Sequence, residues 1–183
     1  LMNKFNSENL LERLSVSEEA KINPLKMSSF STNGKRTDAL AINEVSLLRS
    51  GSQAAKLRIK IDNKERISEL VCDGALVSTP AGSTAYNYSS HGPILPMDSG
   101  VLALTAMAAY RPRRWRGAVL PRNALIEFNI INADKRPVSA LADNFEVKNV
   151  KKVVVHTENG ISHSLLFDPG HGLKERLLKE QFS

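Results

Sequence analysis

The chain has 183 residues, 42% hydrophobic and 24% charged, enough for one domain with a real core and no need of disulfides or a structural metal. Twenty-five Lys and Arg against nineteen Asp and Glu give a net charge of +6, which attracts anions without choosing among them. The single cysteine, Cys72, excludes an intramolecular disulfide and a multi-cysteine zinc site, and no apolar run approaches the ~20 residues of a membrane span; the expectation is a cytoplasmic protein with no membrane partner.

In chain order, Ser7 can cap a short helix over Glu8 to Leu14 with an apolar face of Leu10, Leu11 and Leu14. Asn23-Pro24 then favours extended chain. Strands dominate from there. Ala39 to Leu48 is a mostly apolar run interrupted at Asn43-Glu44. Leu57, Ile59 and Ile61 alternate with charged residues, the period of a half-buried strand, and Asp62-Asn63-Lys64 reads as its turn. Val71 to Thr79 is the next predicted strand, stopped at Pro80-Ala81-Gly82-Ser83. Val101 to Ala109 predicts a buried strand, and Ile126, Phe128 and Ile130 alternate again, as do Val153 and Val155. Asn159-Gly160 predicts a hairpin with Ile161 to Phe167 as its return strand. In the tail, Leu173, Leu177 and Leu178 recur at helical spacing, with Glu175 and Lys179 four apart. The predicted fold class is mainly β (α+β), a large β core with short flanking helices.

The most informative stretch runs from Asp73 to Tyr86. It reads as a strand entering a tight turn of small residues, then a helix start. Ala81 and Gly82 allow backbone to approach a ligand closely. Ser83 and Thr84 offer hydroxyls and amides. Tyr86 adds a ring for stacking and a hydroxyl. Asp73 can accept from a ribose hydroxyl or an exocyclic amine. The same residues also suit a strand–turn–helix joint with no ligand.

Gly82-Ser83-Thr84-Ala85-Tyr86 after Asp73-Gly74, followed by Gly92-Pro93-Ile94, resembles the NAD kinase family. Ala41-Ile42-Asn43-Glu44-Val45 resembles that family's Asn-Glu motif, in the same order along the chain; Arg113 to Gly117 and Asp143-Asn144 resemble positions of bacterial members. The resemblance implies transfer of the terminal phosphoryl group of ATP to the 2′-hydroxyl on the adenosine ribose of NAD, giving NADP, with a divalent metal, usually Mg2+. It implies an α/β first lobe, a many-stranded β-sandwich-like second lobe, and a homodimer or homotetramer. Carried over by position, Asn43 and Glu44 hold the adenosine half of NAD. Asp73 bonds a nucleotide group in the cleft. Thr84 and Ala85 meet the adenine edge, Tyr86 packs alongside, and Asn87, Tyr88 and Ser89 continue that wall. Ala81 stands where many relatives have Thr or Ser, so a hydroxyl contact is missing there.

The family's Gly-Gly-Asp-Gly motif, which supplies the aspartate that polarises the 2′-hydroxyl, does not occur here; the one Asp-Gly pair is Asp73-Gly74. The expectation is therefore a C-terminal portion. Residues 1–24 would be a remnant of the first lobe and a linker, 25–167 the β-rich NAD-binding domain, and 168–183 a helical tail. The catalytic aspartate would lie outside the chain, and the isolated chain would be inactive.

A reading of another class rests on Arg111-Pro112-Arg113-Arg114-Trp115-Arg116, four arginines around one tryptophan, which would suit a nucleic acid or a nucleotide diphosphate. An exposed basic loop with Trp115 partly packed at a subunit contact is the plainer account, and nucleic acid is the disfavoured partner. His91, His156, His163 and His171 lack a ligand spacing. Cys72 reads as buried packing rather than a nucleophile. Asp143 reads equally as a carboxylate reaching the cleft or as a simple turn residue.

Overall fold

The chain changes sheets where its apolar runs break. A computed structural model describes residues 7–113 and 115–169. The elements are α1 (Leu10–Ser15), β1 (Glu18–Ile22), β2 (Leu25–Ser31), β3 (Arg36–Ala41), β4 (Glu44–Arg49), β5 (Ala55–Ile61), β6 (Lys64–Cys72) and β7 (Gly74–Ser78). A 3-10 turn (Ala81–Thr84) and α2 (Tyr86–Ser89) follow. Then come β8 (Val101–Met107), β9 (Gly117–Pro121), β10 (Ile126–Ile130), β11 (Val138–Ala142), β12 (Phe145–Val147), β13 (Val150–Thr157) and β14 (His163–Phe167). One six-stranded antiparallel sheet has the order β3-β2-β13-β10-β5-β6, and the other β12-β11-β4-β7-β8-β9. The predicted mainly β class is the observed one.

The two sheets share one core. The first contributes Leu25, Met27, Leu57, Ile59, Ile126 and Phe128; the second contributes Val45, Leu47, Val77, Leu102, Leu104 and Val138. Alternation in β2, β5 and β10 sends every second residue inward. Outward residues on the first sheet pair by charge across strands. Glu127 lies 2.6 Å from Lys152 and 3.6 Å from Lys60, and Lys56 lies 2.9 Å from Glu69. In the second sheet β7 is buried at every position. The segment after β7 covers its outer face, which is why Gly74 to Ser78 shows no alternation.

One apolar run breaks beside the polar pair that interrupts it, and one expected strand is split in two. Ala39 to Leu48 breaks at Ile42-Asn43, where the chain passes from β3 in one sheet to β4 in the other. Val71 to Thr79 breaks at Asp73, where β6 hands over to β7. An apolar run says neither that its halves lie in one sheet nor that both are buried: Leu40 and Ile42 are exposed.

The Asn159-Gly160 hairpin is not formed. Both edges of β13 are already taken, by β2 and β10, so the returning strand β14 pairs with β1 instead, Glu18 opposite Phe167. Asn23 holds this divergence by donating from Nδ2 to the Ile161 carbonyl at 2.7 Å. The first helix starts later than expected. Asn9, not Ser7, is its N-cap, in the left-handed region and with no side-chain cap bond, and none of its residues is buried. The helix expected in the tail lies outside the described residues. No helix among the described residues is long and apolar enough to cross a membrane.

Candidate functional site

The site forms at one end of the paired strands β4 and β7. Their antiparallel register sets Glu44 opposite Ser78. That places the Asn43-Glu44 entry into β4 beside the Thr79–Gly82 exit from β7. Backbone and hydroxyl bonds tie the two together. The Thr79 amide donates to the Asn43 carbonyl at 2.9 Å, and the Thr79 hydroxyl donates to the Ile42 carbonyl at 2.7 Å. The Gly82 amide donates to Thr79 Oγ1 at 3.1 Å. Thr79 thus joins both motifs, a role its position at the end of an apolar strand did not announce.

A third element closes the knot. Asp143 sits between β11 and β12 with φ 49°. Its Oδ2 accepts from the Ile42 amide at 2.7 Å, and its Oδ1 accepts from the amides of Asn43 and Glu44 at 3.0 and 3.1 Å. Its own amide donates to the Glu44 carbonyl at 3.0 Å. Asp143 is a turn residue whose carboxylate binds the start of β4. Its partners are about a hundred positions away, so spacing could not have found them.

Glu44 faces this arrangement with Oε2 buried and without a hydrogen-bond partner among the described residues. Burial, reinforced by the negative charge of Asp143, raises its carboxyl from the ordinary range to about 7. A partly buried acid shifted toward neutrality is a feature that clusters at functional sites.

The remaining predicted residues divide. Thr84 and Ala85 are half-buried and Tyr86, Tyr88 and Ser89 are exposed, so they present groups to solvent beside the knot. Asn87 is fully buried and serves the fold. It donates from Nδ2 to the carbonyls of Ser83 and Pro93 at 3.2 and 2.8 Å, and its Oδ1 accepts from the Thr105 hydroxyl at 2.6 Å. Ala81 is buried at the wall of a cavity of about 90 Å3 that also touches Asn23, Pro80 and Arg122. Neither Asn43, Glu44 nor Tyr86 lines that cavity.

Asp73 is not brought to the same place. It stands at the start of β7, five residues from Ser78, which at ~3.4 Å per residue is roughly 17 Å along the strand. There it accepts from Arg49 Nε at 2.6 Å. Cys72, beside it, is buried, and burial raises its thiol to about 12. Among the described residues no three His, Cys, Asp or Glu side chains gather as a metal site. Both oxygens of Asp143 are already engaged by amides, which leaves Glu44 as a single free carboxyl. These residues do not fit a protein-held cation.

The family described as ATP-NAD kinase C-terminal domain matches residues 42–164. The chain belongs to the NAD kinase family. It is 59% identical over 182 residues to the NAD kinase of Cereibacter sphaeroides, covering 100% of this chain and 72% of that one. To the NAD kinase of Caulobacter vibrioides it is 58% identical over 183 residues, covering 100% and 70%. Among solved structures, yeast NADH kinase complexed with NADH superposes with a TM-score of 0.79 at 20% identity, covering 91% of this chain and 49% of that one. The NAD kinase from Archaeoglobus fulgidus in complex with ATP gives 0.73 at 19%, covering 90% and 61%. At those identities the two structures speak to the fold alone.

Proposed function

We propose that this chain is the dinucleotide-binding lobe of an ATP-dependent NAD kinase, the enzyme that phosphorylates the 2′-hydroxyl of the adenosine ribose of NAD to give NADP. The observation that carries the reading is the junction of Asn43-Glu44 with the Gly82–Tyr86 turn, built by Thr79 and Asp143. Asn43 and Glu44 take the adenosine ribose and base. Thr84 and Ala85 meet the adenine edge, and Tyr86 stacks against it, with Tyr88 and Ser89 alongside. Asn87 holds the turn from behind.

Phosphoryl transfer depends on positioning and on charge stabilisation of the transferring group. This chain carries the first requirement for NAD. The acid–base aspartate and the phosphate cradle belong to the Gly-Gly-Asp-Gly motif that is missing from this sequence. The divalent metal, Mg2+, arrives on the phosphates of ATP rather than on protein side chains, and the working enzyme is a homo-oligomer. The 183 residues by themselves bind NAD and do not turn it over.

The polyanion reading has less support. Trp115 is partly buried against the core, and much of the charge on the first sheet is neutralised by cross-strand pairs. Titration calorimetry separates the two. Saturable NAD binding that weakens at least about tenfold in Tyr86→Ala and Asn43→Ala supports the kinase reading. Steeply salt-dependent binding of a polyanion lost in Arg113→Ala, with no NAD binding, overturns it.

A further inference from the structure

We propose that Asp143 is a positioning residue that couples dinucleotide binding to the protonation of Glu44. The proposal rests on the dinucleotide-binding reading above. Its ground is the division of labour between two neighbouring carboxyl groups. Asp143 accepts three backbone amides, from Ile42, Asn43 and Glu44, so both of its oxygens are engaged. Glu44 has the opposite surroundings. Its Oε2 is buried with no hydrogen-bond partner among the described residues, and burial and the Asp143 charge act on it together.

Among the described residues, the other elements meeting this end of β4 offer no cation. Ser78 opposite Glu44 on β7, Thr79 after it, Gly82 in the 3-10 turn and Ala142 at the end of β11 are all uncharged. Near neutral pH Glu44 therefore passes between its protonated and ionised forms.

A ribose presents hydroxyl donors, and a carboxylate is their natural acceptor. Binding accordingly selects ionised Glu44 and releases the proton. With Glu44 titrating at about 7 in the free protein, one-site linkage makes NAD binding about tenfold weaker at pH 6 than at pH 8. It also releases about one proton per NAD bound at pH 6 and nearly none at pH 8. Asp143 thus does two things at once. It fixes the loop that carries Asn43 and Glu44, and its charge adds to burial in raising the pH at which Glu44 becomes an acceptor.

The test is calorimetric titration of the full 183-residue chain with NAD from about pH 5.5 to 8.5, in two buffers of different ionisation enthalpy. Wild type is expected to show the affinity rise and the proton release, and Glu44→Gln to show neither. Asp143→Asn keeps one acceptor oxygen and removes the charge, so its midpoint is expected to move to lower pH. A uniform loss of affinity in Asp143→Asn with the midpoint unmoved makes Asp143 a structural turn residue and overturns the inference while leaving the binding reading intact. Should Asp143→Asn not fold, wild type binding NAD without proton release at pH 6 overturns it equally. Failure of wild type to bind NAD at any pH removes the dinucleotide reading itself, and this inference with it.

Discussion

Gly82 lies directly against the main chain of Asn43: a Cβ built at Gly82 would sit 2.5 Å from the Asn43 Cα. The neighbour is backbone, already held by Asp143 and Thr79, so it has no room to give. Gly82→Ala is expected to lower stability by about 2 kcal/mol, the scale of overpacking a tight contact. NAD affinity should fall with it, because separating the chains opens the junction. Urea denaturation together with NAD titration checks this. An unchanged urea midpoint would show that the approach is looser than described.

Asn87 and Thr105 form the support behind the turn. Removing the amide in Asn87→Ala leaves the Thr105 hydroxyl and two carbonyls unpaired in a buried place. The expected loss is about 3 kcal/mol, against about 1–2 kcal/mol for Thr105→Val, which strands only one acceptor. Denaturation curves of the two variants give the comparison. Asn87→Ala with native stability and weakened NAD binding would reassign Asn87 to the ligand.

Glu44 should make stability fall as pH rises. Its carboxyl is raised from the ordinary 4.5 to about 7, so the folded chain holds a proton that the unfolded chain has lost. The contribution is complete below about 4.5, declines through the interval and is gone above about 7. The shift sets an upper bound of about 3 kcal/mol, and solvent screening of a half-exposed group reduces this to ~1–2 kcal/mol. Glu44→Gln should therefore gain on wild type between about pH 5 and pH 8 in urea midpoints. A constant difference across that range would contradict the assignment. A residue that strains the empty fold in order to meet a ligand is a familiar trade between stability and activity.

Cys72 should be inert in the native chain. Burial holds its thiol at about 12, which at mildly alkaline pH lowers the thiolate fraction about a thousandfold relative to free cysteine. Labelling by a disulfide reagent is expected to be correspondingly slow in buffer and complete in denaturant. Rapid native labelling would show that the β6–β7 junction opens.

Much of the β core was legible in residues. Leu57, Ile59 and Ile61 alternate because one face of β5 meets the core and the other meets water. Asp62 and Asn63 turn the chain with φ of 51° and 64°, a conformation that Asn and Asp tolerate better than most. Long-range choices were not legible. Val71 to Thr79 gives no sign of changing sheets at Asp73, because apolar residues suit either sheet. Asn159-Gly160 carries the local chemistry of a hairpin, but a turn cannot pair strands whose edges are occupied.

The site shows the same boundary. By itself the sequence determined which chemical groups were on hand: the amide and carboxyl of Asn43 and Glu44, and a bend of small residues leading to Tyr86. Those choices are local, set by side-chain chemistry and by the backbone freedom of Gly82. Tertiary structure alone decided which of them meet. Antiparallel pairing of β4 with β7 carried Asp73 to the far end and Thr79 to the near one. Asp143 was recruited from a turn about a hundred residues away. Spatial proximity, and the shift in Glu44 that follows from it, depend on strand order and burial, and these arise only when distant segments compete for the same edges and the same core.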